Sequence, residues 1–227
     1  MTIVDMSAYD FRLLEVSGEL YALEDHLRLI EDQMQQTKKT EELRVEQYIR
    51  KEGLSPDDFE WQELRDEYNY RMDCLLPRLF RGSFLLALYA VYESAVTEIA
   101  GLIQKGESQE ISINDFKGDF LGKAKKYYGD ILGFQLYEEE NEWCRVTMLS
   151  KLRNAFAHAN GRLEMLKDRS KRTIKTWERQ NLGISTYNGF VVCDSGIVAD
   201  IFDVVRKSLE NLISRYRTWD DARREKV

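Results

Sequence analysis

The segment from Arg78 to Gln104 reads RLFRGSFLLALYAVYESAVTEIAGLIQ and is the most apolar part of this 227-residue chain. Its apolar residues occupy all sides of a helix, which is typical of a helix at the centre of a domain. The whole chain has only 2 prolines and 13 glycines, so few residues interrupt helices. This composition favours long helices over many short strands. We therefore predict an all-α fold built around this central helix.

Upstream of the central helix, apolar residues recur in alternating steps of three and four at Leu13, Val16, Leu20, Leu23, Leu27, Ile30 and Met34. The spacing predicts a helix over residues 7–36 whose stripe packs in the core, the alternative being a partner-binding zipper. A shorter helix is expected over 39–51. Ser-Pro-Asp-Asp at 55–58 predicts the start of the next helix, which Pro77 should kink or split.

Downstream, the pattern predicts a helix over residues 142–159, ended by Asn160-Gly161 in the left-handed conformation. A basic helix over 162–181 and a hairpin with an Asn188-Gly189 turn follow, and the last helix covers 197–217. We divide the chain into an N-terminal helical hairpin or extension (1–74), a helical bundle (75–220) and a tail (221–227).

The composition excludes several classes of protein. Three cysteines with no close pair exclude a disulfide framework and a four-thiolate zinc site, and they fit a reducing compartment. The first residues do not resemble a signal peptide, and the longest apolar run, residues 84–92, is far shorter than the ~20 residues of a membrane span. We therefore expect a cytoplasmic protein with no membrane association.

Known cofactor motifs are also missing from the sequence. It has no phosphate-binding glycine loop, no dinucleotide fingerprint and no nucleophile elbow. With two histidines far apart in sequence, ligands for a metal are scarce. We expect neither a metal nor a cofactor.

The charge is unevenly distributed along the chain, whose net charge is −7. Residues 1–120 carry 25 acidic and 13 basic side chains, whereas residues 144–182 carry three acidic and ten basic ones. Such a basic region can attract a polyanion locally. The alternative is a solvated helix face whose cations pair with the acidic N-terminal half.

Within the basic region, Arg153-Asn154 is followed by His158 near the end of an apolar helix. Arginine binds phosphate through paired hydrogen bonds, and histidine transfers protons near neutral pH. Asn154 and His158 share one helix face, but Arg153 and His158 lie about 140° apart. Two copies related by a two-fold axis could bring both groups to one cleft. The alternative for His158 is a purely structural role.

This Arg-polar-x3-His arrangement resembles the motif of the HEPN superfamily, small helical proteins that include prokaryotic ribonucleases of toxin–antitoxin and antiphage systems. The segment from Phe80 to Glu93 is similar to the family's second conserved helix, and the hairpin and helix over 184–212 also fit. The resemblance covers roughly residues 75–220. One departure is Asn160, because some members carry a tyrosine there that is modified to silence them.

The resemblance implies a homodimeric, metal-independent endoribonuclease in which a ribose 2′-hydroxyl attacks the adjacent phosphate. His158 would be the general acid or base, Arg153 would stabilise charge on the phosphate, and Asn154 would orient or bind. Glu93 would support the site, unless it is a buried acid paired with an arginine. Six basic residues would hold RNA such as tRNA or mRNA: Arg162, Lys167, Arg169, Lys171, Arg172 and Lys175.

The resemblance also implies a cognate antitoxin or another defence-system partner. Some members have lost activity, so a catalytically inactive HEPN-like dimer that binds protein or RNA is the main alternative. A helical interaction module that docks a partner on its acidic N-terminal helices is a third.

Overall fold

A computed structural model describes residues 11–225 and confirms the all-α fold with a small hairpin before the last helix. The helices are α1 (Phe11–Glu52), α2 (Phe59–Asn69), α3 (Leu76–Gly106), α4 (Phe120–Lys126), α5 (Glu140–Ala159), α6 (Asp168–Arg179) and α7 (Ser195–Arg224). Strands β1 (Ile184–Tyr187) and β2 (Phe190–Cys193) pair antiparallel. Short π-helical turns (Tyr70–Leu75, Tyr127–Ile131) and 3-10 turns (Ile113–Asp115, Leu163–Met165) complete the described elements.

Helix α1 is one continuous helix of 42 residues, so the prediction of two helices separated near residue 37 was wrong. No proline or glycine lies at the expected break, and the side chains there suit a helix. The Thr40 hydroxyl donates to the Gln36 carbonyl at 2.9 Å, four residues back. The predicted apolar stripe packs in the core as expected, with Leu27 only partly covered. The predicted start of this helix at residues 7–10 lies outside the described residues.

The predicted helix start at Ser55 was also wrong, because α2 begins at Phe59 with Asp58 as its N-cap. Residues 55–58 form a turn in which the Asp58 N–H donates to the Ser55 carbonyl at 2.9 Å. The Ser55 N–H donates in return to the Asp58 carboxylate at 2.6 Å. The Ser55 carbonyl therefore accepts from Asp58, three residues on, and the regular α-helix starts only at Phe59.

Around Pro77 the helical chain continues through a π-helical turn, Tyr70–Leu75, which joins α2 to α3. The Leu76 N–H donates to the carbonyl of Arg71, five residues back, where an α-helix would use the fourth. Because proline has no N–H and clashes with the preceding turn, the wider turn accommodates it without ending the helix. The interruption predicted at Pro77 is therefore a change of helix type.

The hairpin has the predicted Asn188-Gly189 turn, with Tyr187 opposite Phe190. Both turn residues have positive φ values, 47° and 79°. These values match the two-residue turn whose twist suits antiparallel strands, and this turn favours Asn-Gly.

The helical stretch Phe59–Gly106 contains an 18-residue window with a mean hydropathy of 1.4, of which 44% is buried. By length and composition this window could cross a membrane. The central helix of a soluble protein has the same properties, so the window does not discriminate between the two. The cytoplasmic location stays a prediction.

Chain contacts divide the molecule into two compact units. Unit one contains the described parts of Met1–Leu23, Ala87–Ser150 and Ile201–Val227. Buried tyrosines occupy its core: Tyr128 donates its hydroxyl to the Val96 carbonyl at 2.7 Å, and the hydroxyls of Tyr92 and Tyr137 contact each other.

Unit two contains Glu24–Leu86 and Lys151–Asp200, and with them the hairpin and the Arg153–His158 motif. A bidentate ion pair stabilises it, since Arg81 donates two hydrogen bonds of 2.7 Å to Glu31 and a third, of 3.0 Å, to the Cys193 carbonyl. The units group segments distant in sequence, and the division predicted at residue 74 stays a prediction.

Candidate active site

The candidate site lies at the C-terminal end of α5, where the chain turns sharply. Asn160 and Gly161 have φ values of 47° and 74°, which confirms the predicted left-handed end of this helix. The Gly161 N–H donates to the Ala155 carbonyl at 3.0 Å, and the Asn160 N–H donates to the Phe156 carbonyl at 3.0 Å. These bonds satisfy carbonyl groups of the last turn and hold the backbone next to His158.

The core-facing side of α5 explains why His158 faces solvent. Leu152, Ala155, Phe156 and Ala159 are buried, whereas Asn154 and His158 are exposed. His158 is therefore not a buried histidine, and a purely structural role stays the alternative. The predicted helical geometry holds, because Asn154 and His158 lie on one face.

Arg153 is half-buried, and its Nη1 donates to the Asn154 Oδ1 at 2.9 Å. Because arginine has only donors, this contact assigns the Asn154 oxygen to the arginine side and leaves the Asn154 amide NH₂ as a donor. Arg153 thus orients Asn154 within one chain.

A cleft of about 500 Å³ opens beside this helix face. Its wall on α5 consists of Lys151, Asn154, Ala155, His158 and Ala159. The opposite wall is formed by Met165, Leu166, Lys167 and Ser170. The structure therefore brings together His158, Asn154 and Lys167 of the predicted site, whereas Arg153 does not line the cleft.

Residues 162–181 do not form the single predicted helix. Arg162 instead forms a β-bridge with Phe190, and the Leu163 N–H donates to the Gly189 carbonyl at 2.8 Å. These bonds to the hairpin turn delay the start of α6 to Asp168. The prediction was wrong at this end because the bonds come from residues distant in sequence. The segment before α6, together with its first turn, forms the second wall of the cleft.

The six predicted RNA-binding residues do not share one environment. Lys167 lines the cleft, and Arg162 stacks over the Phe190 ring at 5.7 Å. Arg169 and Arg172 are exposed on α6. The other two lie close to acids on α6, Lys171 at 3.8 Å from Asp168 and Lys175 at 2.8 Å from Glu178.

The contact between Lys175 and Glu178 also extends to the hairpin. Hydrogen bonds from Lys175, and then from Thr186, lower the pKa of Glu178. Lys175 itself donates to the Thr186 hydroxyl at 2.7 Å. Lys175 therefore has a structural role between α6 and β1, and the exposed arginines are the better candidates for binding phosphate.

Glu93 lies in unit one and lines a different cavity, of about 740 Å³, together with Glu15, Glu19 and Glu98. None of the residues lining that cavity belongs to the Arg153–His158 motif. Glu93 is half-buried, whereas the alternative role required a buried acid paired with an arginine. A supporting role for Glu93 in the site stays a prediction.

Sequence reasoning missed the cleft residues Lys151, Met165, Leu166 and Ser170. The helical spacing could have identified Lys151, because it lies three residues before Asn154 and seven before His158. No local pattern marks the other three. They approach α5 only because the hairpin holds residues 162–163.

A search of known family models, of curated proteins and of solved structures finds no match to this chain. The resemblance to the HEPN superfamily therefore stays a prediction that depends on the residues of the motif.

Proposed function

We propose that this chain is a metal-independent endoribonuclease of toxin or antiphage-defence type. In this proposal it acts in the cytoplasm as a homodimer and cleaves RNA such as tRNA or mRNA. A cognate antitoxin or another defence-system protein would control it.

One observation carries the proposal: the exposed His158 shares a cleft with Asn154 and two lysines, Lys151 and Lys167. The cleft is large enough for a nucleotide-sized ligand. Two ammonium groups and an amide donor favour an anionic ligand such as a phosphodiester. The histidine can transfer a proton at the edge of that ligand.

The chemistry follows from these positions. The 2′-oxygen of a ribose attacks the adjacent phosphorus, the bond to the 5′-oxygen breaks, and a 2′,3′-cyclic phosphate and a 5′-hydroxyl result. His158 takes the proton of the 2′-hydroxyl or supplies the proton of the leaving 5′-oxygen. Lys151 and the Asn154 amide stabilise the negative charge that grows on the phosphate oxygens in the transition state.

A second copy of the chain would complete the site. Within one chain Arg153 does not line the cleft, and a single histidine cannot serve as base and acid in the same step. In a two-fold dimer, the second copy supplies the other histidine and an arginine to the same phosphate.

The contact between Arg153 and Asn154 favours a second candidate, a catalytically inactive dimer that binds RNA or protein. In that case Arg153 only orients Asn154, and the cleft with its basic rim serves for binding. Arg153→Ala would then weaken binding, and neither the wild-type chain nor the variant would cleave RNA.

The test is incubation of the purified full chain with tRNA and total RNA in EDTA, beside His158→Ala and Arg153→Ala. We expect the wild-type chain to leave cyclic-phosphate ends and both variants to lose at least about a hundredfold in rate. His26→Ala is the matched control, because His26 is the other histidine and is also exposed.

Equal cleavage by all four proteins would reveal a contaminant and contradict the proposal. If the wild-type chain cleaves no RNA in vitro and its expression does not inhibit growth, the binding module replaces the enzyme.

A further inference from the structure

The cleft beside His158 has two walls of different chemistry. The wall on α5 carries the groups proposed for the reaction, whereas the wall from Met165 to Ser170 carries an apolar surface followed by donors. Met165 is 62% exposed. Its thioether lines the cleft together with Ala155 and Ala159, and thioethers make favourable contacts with aromatic rings.

The polar groups of the cleft are mostly hydrogen-bond donors. Lys151 and Lys167 have ammonium groups, which only donate, and Ser170 adds a hydroxyl. The Asn154 oxygen accepts from Arg153, so its amide NH₂ remains as a donor.

Among the described residues that line the cleft there is no carboxylate. Asp168, next to Lys167 in sequence, lies outside the lining and 3.8 Å from Lys171. The cleft therefore lacks an acidic acceptor for the exocyclic amino group of a base.

We infer that this cleft selects the base of the nucleotide whose 2′-hydroxyl attacks, and that it prefers bases with a keto group, uracil and guanine, over cytosine and adenine. The inference rests on the proposed ribonuclease function. Uracil O4 and guanine O6 are acceptors, and the matching positions of cytosine and adenine carry amino donors. The ammonium group of Lys167 only donates, so it pairs with the first kind and cannot accept from the second.

In this arrangement Met165 and Leu166 pack against the ring of the base, and Lys167 and Ser170 donate to its keto oxygen. Met165 determines how well any base binds, and Lys167 determines which base. These are positioning and specificity roles, distinct from the proton transfer at His158.

The test uses single-stranded DNA 12-mers that contain one ribonucleotide, because cleavage by a 2′-hydroxyl can occur only there. Four substrates differ in the base of that ribonucleotide. Uracil and cytosine have nearly the same shape, as do guanine and adenine, so each pair isolates the keto group. We expect the wild-type chain to cleave after U faster than after C, and after G faster than after A, by about tenfold.

Lys167→Met should bring both ratios towards one. Lys39→Met is the matched control, because Lys39 is exposed on α1 and does not line the cleft, and its ratios should equal those of the wild type. Met165→Ala should slow cleavage after all four bases and leave the ratios unchanged.

Equal cleavage after all four bases by the wild-type chain would overturn the inference and leave the proposed ribonuclease intact. A parallel binding measurement uses the same oligomers with a 2′-O-methyl group at the test position. Tighter binding of the U and G oligomers, together with no cleavage of the ribonucleotide substrates, would support the base preference and refute the ribonuclease. Equal binding of all four without cleavage would overturn both.

Discussion

Gly161 illustrates how a single residue maintains the candidate site. Its φ of 74° is a left-handed conformation that residues with a Cβ rarely adopt. A Cβ there would lie 3.3 Å from the Cδ of Arg78 and 3.4 Å from the Val191 carbonyl oxygen. Conformation and space therefore both require glycine at the turn that follows His158.

We predict that Gly161→Ala lowers the free energy of unfolding by about 2 kcal/mol, because backbone strain and crowding add. Gly189→Ala is the control, since Gly189 has a similar φ of 79° but no atom within 4 Å of its Cβ position. It should cost only about 1 kcal/mol, from strain alone. Urea unfolding curves measure both, and equal losses would contradict the crowding at Gly161.

At the scale of elements, the continuity of α1 is the clearest difference between local pattern and fold. The pattern indicated a break near residue 37, yet the structure has a helix from Phe11 to Glu52. Proline inside a helix removes a hydrogen bond and clashes with the preceding turn, whereas proline in a loop is tolerated.

We therefore predict that Lys39→Pro lowers the free energy of unfolding by about 3 kcal/mol and reduces the helical circular-dichroism signal. Lys39→Ala is the matched control and should be neutral within about 0.5 kcal/mol, because Lys39 is exposed. A loss below about 1 kcal/mol for the proline variant would show that two helices meet there.

The exposed face of α6 provides a second test at this scale. Arg169 and Arg172 lie one turn apart and are exposed. If both arginines contact phosphates, the double variant Arg169→Gln, Arg172→Gln should bind single-stranded RNA more weakly. It should also reduce the slope of log affinity against log salt by about 1.4. Arg44→Gln with Arg50→Gln on α1 is the control of equal charge change, and an equal slope in all three proteins would exclude this face from RNA binding.

At the scale of the whole molecule, buried acids that are neutral in the folded state determine how stability depends on alkaline pH. Burial raises the pKa of Cys193 to about 12. Burial also raises the pKa values of Tyr92 and Tyr128 well above their ordinary value. The folded protein keeps these protons at pH values where the unfolded chain has lost them.

The sign follows from proton linkage. Above about pH 9 the unfolded chain binds fewer protons than the folded one, so each increase in pH favours unfolding. The stabilisation is complete below pH 9 and is lost as pH rises towards 12. We predict a progressive fall in the urea midpoint over this range.

Cys193→Val should make that fall shallower by about one proton, or about 1.4 kcal/mol per pH unit, between pH 9 and 12. Cys144→Ser is the control, because Cys144 is exposed and should leave the slope unchanged. An unchanged slope in the valine variant would contradict the buried, protonated thiol.

Local sequence patterns were sufficient to predict much of this fold. The all-round apolar segment predicted the central helix, the Asn160-Gly161 and Asn188-Gly189 pairs predicted turns that the structure confirms, and the seam on α1 predicted its buried face. Each of these depends on interactions between residues a few positions apart, which the order of amino acids specifies directly.

The cleft beside His158 required the tertiary structure. Met165, Leu166 and Ser170 carry no local signal, and they reach α5 because Arg162 and Leu163 bond to the hairpin some 27 residues further along the chain. Arg153 lies outside the cleft of its own chain, as its position about 140° from His158 around α5 predicts. Composition and periodicity report which residues are buried, whereas the partners of an exposed side chain depend on segments that only folding brings together.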